Sequence, residues 1–180
     1  MSAAESLPAG RHDARAERPS FADVASAHLD DVYRYLLYMT RDDNLAEDLA
    51  ADAFERALRQ WHRFDPRRAT ARTWLCQLAR STALDHFRAE HRRRRREHRY
   101  AHADAPASEP PGLPGLSPAL ERALRELSAA DREVIALRVV LELDGEAAAR
   151  VLGISTTACS TRLSRALKQL EKKVSADVTA

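Results

Sequence analysis

Ala147-Ala148-Ala149-Arg150-Val151-Leu152-Gly153-Ile154-Ser155, leading directly into Thr156–Leu170, is the stretch on which the fold turns. The segment from Gly145 to Leu152 reads as a short helix. Gly153 ends it, because glycine enters the left-handed conformation without steric cost. Ser155 then caps a longer helix running from Thr156 to about Lys173. Short helix, glycine turn, apolar residue, cap and longer helix together make a helix-turn-helix, whose second helix lies in the DNA major groove. On that helix Cys159, Leu163, Ala166, Leu167 and Leu170 form an inward stripe. Thr157, Ser160, Thr161, Ser164, Arg165 and Lys168 face outward, and hydroxyls and guanidinium groups suit phosphates and base edges. Arg162 stands between the two faces, open either to a phosphate or to a carboxylate such as Glu133. The bland alternative for the whole segment is an ordinary helical hairpin with a glycine cap.

Upstream of this stretch, Ser117-Pro118 is an N-cap followed by proline at the first helical position. Leu120, Ala123, Leu124 and Leu127 give that short helix an apolar face. Ser128-Ala129-Ala130-Asp131 resembles a capping box, and the helix it starts carries Val134, Ile135, Leu137, Val140 and Leu141.

A second helical module lies nearer the N-terminus. Ser20 caps a helix with Phe21, Val24, Ala25, Leu29, Val32, Tyr33, Leu36 and Leu37 at helical spacing. Arg41-Asp42-Asp43-Asn44 breaks it and caps a second helix bearing Leu45, Leu49, Ala50, Ala53, Phe54, Ala57, Leu58 and Trp61. Acidic Glu47, Asp48 and Asp52 precede basic Arg56 and Arg59, the favourable order for the helix dipole. Phe64–Thr70 reads as a loop with Thr70 as the next cap. A third helix carries Trp74, Leu75, Leu78, Ala79 and Phe87 and runs into Arg92–Arg96. Trp74 falls on the apolar stripe and reads as core rather than as a platform for stacking a base. Three such helices over about 80 residues can close one small core.

The expected class is therefore all-α: two small helical domains, 20–100 and 118–174, joined by a linker. Residues 101–117 are rich in Pro, Ala, Ser and Gly, which predicts a flexible connection. Residues 1–19 and 175–180 read as tails.

Composition and charge narrow the function. Only 5 glycines in 180 residues disfavour a turn-rich sandwich or barrel. No apolar run reaches a membrane span or a signal peptide, so a soluble, cytoplasmic protein is expected. The formal net charge of +2 hides segregation: residues 21–65 hold 5 basic and 10 acidic groups, whereas residues 66–100 hold 11 basic and 3 acidic. The basic stretch suits a polyanion and the acidic one a basic protein surface, unless both are merely solvated faces. Cys76 and Cys159 stand far apart and read as small buried hydrophobes. The seven histidines are dispersed; His91, His98 and His102 flank the arginine run. No phosphate loop, metal motif or nucleophile set is present, so neither an enzyme nor a metal or cofactor is expected.

Taken together, these residues resemble a bacterial RNA polymerase sigma factor of the extracytoplasmic-function (ECF) group, over about residues 20–100 and 117–172. Asp43–Ala50 looks like the acidic segment ahead of that family's polymerase-binding helix, and Thr73–Arg88 like its helix for the melted minus-ten element. Leu127–Arg138 and Val151–Ala166 resemble the domain that reads the minus-thirty-five element. The resemblance implies a protein that binds core RNA polymerase, directs it to promoter DNA and helps open the duplex. It implies that Asp48, Asp52, Phe54, Glu55 and Leu58 dock on the coiled-coil clamp of the largest polymerase subunit. It assigns Phe64, Arg67, Arg68, Arg80, Ser81, Asp85, Arg88, Arg92 and Arg93 to the minus-ten region, with Arg92–Arg96 on phosphates. It assigns Thr156, Thr157, Ser160, Thr161, Arg162, Ser164, Arg165 and Lys168 to the minus-thirty-five element, and it implies an anti-sigma factor as a further partner.

Several positions depart from the family pattern. Ser81 stands where asparagine is usual, Ser160 where a basic residue is usual, and Ala147-Ala148-Ala149 where Glu-Ile-Ala is usual. These departures bear on promoter preference and on packing of the second module. The rival readings are a two-module helix-turn-helix regulator acting without polymerase, and an RNA-binding or scaffold protein using Arg92–Arg96.

Overall fold

A computed structural model describes residues 19–97 and 116–178. Most of the linker and both extreme termini, including His98 and His102, therefore lie outside the described residues. The first module holds α1 (Phe21–Thr40), α2 (Asp43–Gln60), a 3-10 turn (Trp61–Arg63) and α3 (Ala71–Glu97). The second holds α4 (Pro118–Arg125), α5 (Ala129–Ile135) with a π-helical turn over Ala136–Val140, α6 (Gly145–Leu152) and α7 (Thr156–Val178). Among the described residues every regular element is helical.

The helix starts are chemically specified. Ser20, Asp42, Ser117, Ser128 and Asp144 each accept the amide N–H three residues on, at 2.8–3.3 Å. Thr70 Oγ1 does the same for the Thr73 amide at 3.2 Å, and Ser155 Oγ for Ala158 at 3.1 Å. The Ser128 hydroxyl also donates to Asp131 at 2.6 Å. Helix α7 runs on to Val178, so residues 175–178, whose sequence suggests a tail, continue the helix.

In the first module α1, α2 and α3 pack against one another. The buried face of α2 is mostly alanine (Ala46, Ala50, Ala53, Ala57), so α1 and α3 approach it closely. Arg72 on α3 donates to both carboxylate oxygens of Asp31 on α1, at 2.7 and 2.8 Å. Burial alone would raise the Asp31 pKa, yet the guanidinium holds it below its ordinary value. In the second module α7 is the spine on which α4, α5 and α6 rest, with Cys159 and Ala166 fully buried along it.

Gly153 stands at φ +68°, the left-handed region, and donates back to the carbonyls of Ala149 and Arg150. A Cβ built there meets nothing within 4 Å. Any penalty for Gly153→Ala is thus backbone strain alone. We expect a loss of about 1–2 kcal/mol, read by urea denaturation, with Gly153→Asn recovering part of it because asparagine tolerates this conformation.

Two expected core positions are displaced. Leu29 is 51% exposed, whereas Tyr35 is fully buried and Tyr38 nearly so. The buried face of α1 is turned toward the second module, because α1 also packs on α5 and its π-helical turn while α3 packs on α6. The buried clusters of the two modules are contiguous. A Pro-rich connection gives no hint of such direct contact. Leu167, expected to point inward, is 41% exposed, at the edge of an apolar groove described below.

Candidate nucleic-acid and polymerase interface

The outer face of α2 carries Asp48, Asp52, Glu55 and Leu58, all exposed; Leu58 is 57% so. Spacings of four, three and three residues align them on one side of the helix. Phe54 is half-buried and packs against the core. Glu55 pairs with Arg59 at 2.8 Å, one turn on, in an exposed bridge of small energetic consequence. The face is thus a carboxylate strip with an uncovered leucine, suited to a basic, partly apolar helical partner.

The loop Phe64–Thr70 is anchored by aromatic rings. Phe64 stacks on Trp61 at 4.9 Å and 10°, and Trp74 lies 5.3 Å from Phe64 and 5.8 Å from Trp61. Phe21 meets Trp61 edge-on at 5.6 Å. Trp74 belongs to the core, as its stripe position indicated. Phe64 is 6% exposed, which corrects its expected role: it is the floor of the loop and offers no ring face to a base. The sequence reading missed this because a single aromatic at a loop entrance has no periodic partner. Arg67 and Arg68 are exposed at the tip, where Asp65 accepts the Arg67 amide at 3.0 Å.

Along α3, Asp85, Arg88, Arg92 and Arg93 are exposed and Ser81 is half-buried. Arg56, on α2, was not among the expected residues. Its guanidinium donates to the Ser81 hydroxyl at 3.3 Å and lies 3.6 Å from Asp85, which Arg88 approaches from the other side at 3.3 Å. The Asp85 carboxylate is therefore flanked by two cations, which offset its repulsion of phosphates and leave its oxygens open to a base amino group. A basic residue near the end of α2 is the signal that could have found Arg56. Beyond it, Glu90 engages both Arg93 and Arg94 at 3.0 Å; those hydrogen bonds hold its carboxyl below the ordinary pKa.

Arg80, a further expected minus-ten residue, is half-buried and tied to the second module. Its Nε and Nη2 donate to Glu133 of α5, at 2.7 and 3.3 Å. Glu133, the carboxylate considered as a partner for Arg162, is thus bound by the first module instead.

On α7, Thr156, Thr157, Ser160, Thr161, Ser164, Arg165 and Lys168 are exposed and Arg162 is half-buried. The turn before it is tight: Gly153 and Ile154 donate to carbonyls of α6. Gly145 Cα lies close under Thr156, so a Cβ at Gly145 would meet its methyl at 3.5 Å. Ala148 is completely buried and Ala149 nearly so. An apolar groove of about 430 Å³ runs between the modules, lined by Leu37, Tyr38, Leu120, Val139, Leu167 and Leu170 among others. Tyr38 Oη is buried there with no hydrogen-bond partner among the described residues, and burial pushes its pKa up to about 12.

Comparison with known proteins fits this geometry module by module. Sigma-70 region 2 matches residues 24–93, and Sigma-70 region 4 matches residues 117–170. The ECF RNA polymerase sigma factor SigX of Bacillus subtilis (strain 168) is 31% identical over 150 residues, covering 79% of this chain and 77% of SigX. The chain belongs to the ECF sigma factors. BldN of Streptomyces coelicolor, another ECF sigma factor, is 31% identical over 160 residues, 87% of this chain and 61% of BldN. Among solved structures, the sigma factor RpoE from Bartonella quintana, in complex with the anti-sigma factor NepR, shares the fold at TM-score 0.66. It is 24% identical, covering 87% of this chain and 98% of that one. CnrH, in complex with the cytosolic domain of CnrY, gives 0.64 at 24% identity over 87% and 88% of the two chains. As an ECF sigma factor the chain is a promoter-directing subunit of RNA polymerase, which sets aside the polymerase-independent regulator. No helix among the described residues is long and apolar enough to cross a membrane.

Proposed function

We propose that this sigma factor divides its work by face. The carboxylate strip of α2 docks on the clamp helices of core polymerase through Asp48, Asp52, Glu55 and Leu58, with Phe54 supporting them. The loop tip at Arg67 and Arg68 and the α3 residues Arg80, Ser81, Asp85 and Arg88 hold the unpaired minus-ten strand, with Arg56 as an added cation. Arg92–Arg96 grip phosphates at the strand fork. Helix α7 reads the minus-thirty-five duplex with its hydroxyls, Arg165 and Lys168. Serine at 81 and 160 gives shorter, uncharged contacts, so both elements differ from the family's usual ones. The chain needs no cofactor and is not itself an enzyme, because bond making belongs to the polymerase. It works in the cytoplasm, where the template lies.

The observation that supports this best is the segregation of an acidic face on α2 from hydroxyl-rich and basic faces on α3 and α7. An anti-sigma factor fits the apolar groove between the modules, where a helix could cover Val139 and Leu167 and satisfy Tyr38 Oη. The decisive test is run-off transcription with sigma-free core polymerase on a genomic library. Discrete start sites that depend on the added chain are expected; their absence would refute the reading.

Arg88→Ala should separate docking from melting. Its bridge to Asp85 is exposed and of little structural value. Loss of one charge-assisted contact to the open strand, worth about 1.5–3 kcal/mol, should cut heparin-resistant complexes roughly tenfold or more. Binding to core polymerase should stay unchanged.

A further inference from the structure

Among the described residues Glu133 is the one buried charged side chain, 5% exposed. It sits on α5 of the second module, yet its hydrogen bonds come from the first. Tyr35 Oη on α1 donates to it at 2.8 Å, and Arg80 on α3 donates through two nitrogens. One turn before Arg80, Gln77 Nε2 donates to the carbonyl of Arg150 on α6 at 3.0 Å. Sequence distances of 98, 53 and 73 residues separate these pairs, so the contacts clamp one module onto the other.

This arrangement conflicts with promoter binding. On the reading proposed above, Arg80 serves the minus-ten strand. A guanidinium forked onto a carboxylate cannot at once fork onto a phosphate or base edge, since both use the same donors. The two promoter elements also lie about 25 base pairs apart, roughly 85 Å at 3.4 Å per pair. Modules joined by a 3.0 Å hydrogen bond cannot each reach one element. The chain must therefore open before it works.

The polar character of the contact suits opening. An ion pair buried at an interface recovers little net free energy, because desolvation of both charges offsets their attraction. When the modules part, Glu133 and Arg80 regain water or, for Arg80, a DNA anion. Burial and the neighbouring carboxylate also hold the Tyr35 hydroxyl protonated, with its pKa well above the ordinary value, so it remains a donor.

We infer that Glu133, gripped by Tyr35 and Arg80, is a latch that keeps the free sigma factor closed and withholds Arg80 from DNA until polymerase separates the modules. The inference rests on the proposed role of Arg80, but the closure itself does not.

The test is energy transfer within the full-length chain, first free of polymerase and DNA and then with core polymerase added, between dyes on Ala27→Cys and Glu171→Cys. Both positions are exposed, whereas Cys76 and Cys159 are buried and react slowly. The wild-type background should give a dominant high-transfer population that core polymerase converts to low transfer. Glu133→Gln should raise the open-to-closed ratio by about tenfold, the worth of a lost charge-assisted pair. The swap Arg80→Glu with Glu133→Arg should return it toward wild type. If Glu133→Gln loses helicity by circular dichroism, Tyr35→Phe decides instead, with an expected shift of about threefold for one hydrogen bond. A free wild-type chain that is already open, or a distribution that neither variant moves, overturns the latch. Such a result leaves the run-off assignment standing, because the variants are compared in the free chain, without polymerase or promoter. A failed run-off assay alongside shifted transfer would remove Arg80's DNA role and keep the latch.

Discussion

Reversing two charges, Asp48→Arg with Asp52→Arg, is expected to weaken binding to core RNA polymerase by at least about a hundredfold. Like charges juxtaposed across an interface cost several kcal/mol, and about 1.4 kcal/mol is tenfold in affinity. Both carboxylates are exposed on α2, away from the buried alanine face. The fold should therefore survive, and the thermal midpoint should move little. Competition against an unlabelled wild-type chain for core polymerase gives the affinity; circular dichroism verifies the helices. Leu58→Ala should cost less, because it removes apolar contact without adding repulsion. If the double reversal binds as tightly as wild type, polymerase docks elsewhere and the carboxylate strip is only a solvated face.

The contrast between α2 and α1 shows what the sequence makes legible. Alanine and leucine recur along α2 at helical spacing, acids precede bases, and its outer face belongs to no other element. Every one of those features is local, so most of its buried face could be assigned from sequence, although Leu58 of the apolar set is exposed and Ala46, outside it, is buried. The caps at Ser20, Ser117 and Ser128 were readable for the same reason: donor and acceptor lie three residues apart. On α1 the periodic stripe placed Leu29 inside and passed over Tyr35. Its true burial depends on Glu133, 98 residues away, and no window of local periodicity contains both. Phe64 failed for a related reason, since its burial is set by Trp61 and Trp74 on either side of a turn. Arg80 illustrates the limit for the candidate site. Its place on α3 was legible, but which anion it meets depends on how the two modules pack. Composition of the segment 101–117 speaks to chain stiffness and not to whether the domains it joins adhere.

The basic end of α3 allows a larger effect to be read in salt dependence. Arg92–Arg96 are all exposed on the last turns of the helix. Glu90 holds Arg93 and Arg94 in exposed pairs, which phosphates displace at little cost. Each phosphate neutralised releases counterions, so the slope of log K against log salt changes by about 0.9 per contact on duplex and about 0.7 on single strands. Replacing all five arginines by alanine should therefore flatten the slope for holoenzyme on promoter DNA by roughly 3.5–4.5 units. Between about 50 and 200 mM salt, wild type should lose on the order of a hundredfold more affinity than the variant. The size of the change also reports the substrate, since five contacts on a single strand give about 3.5 and five on duplex about 4.5. The same variant should leave affinity for core polymerase intact, because the tract lies on α3 and the carboxylate strip on α2. An unchanged slope would mean that these arginines never approach the template, and the role of the α3 terminus in holding the fork would be lost with it.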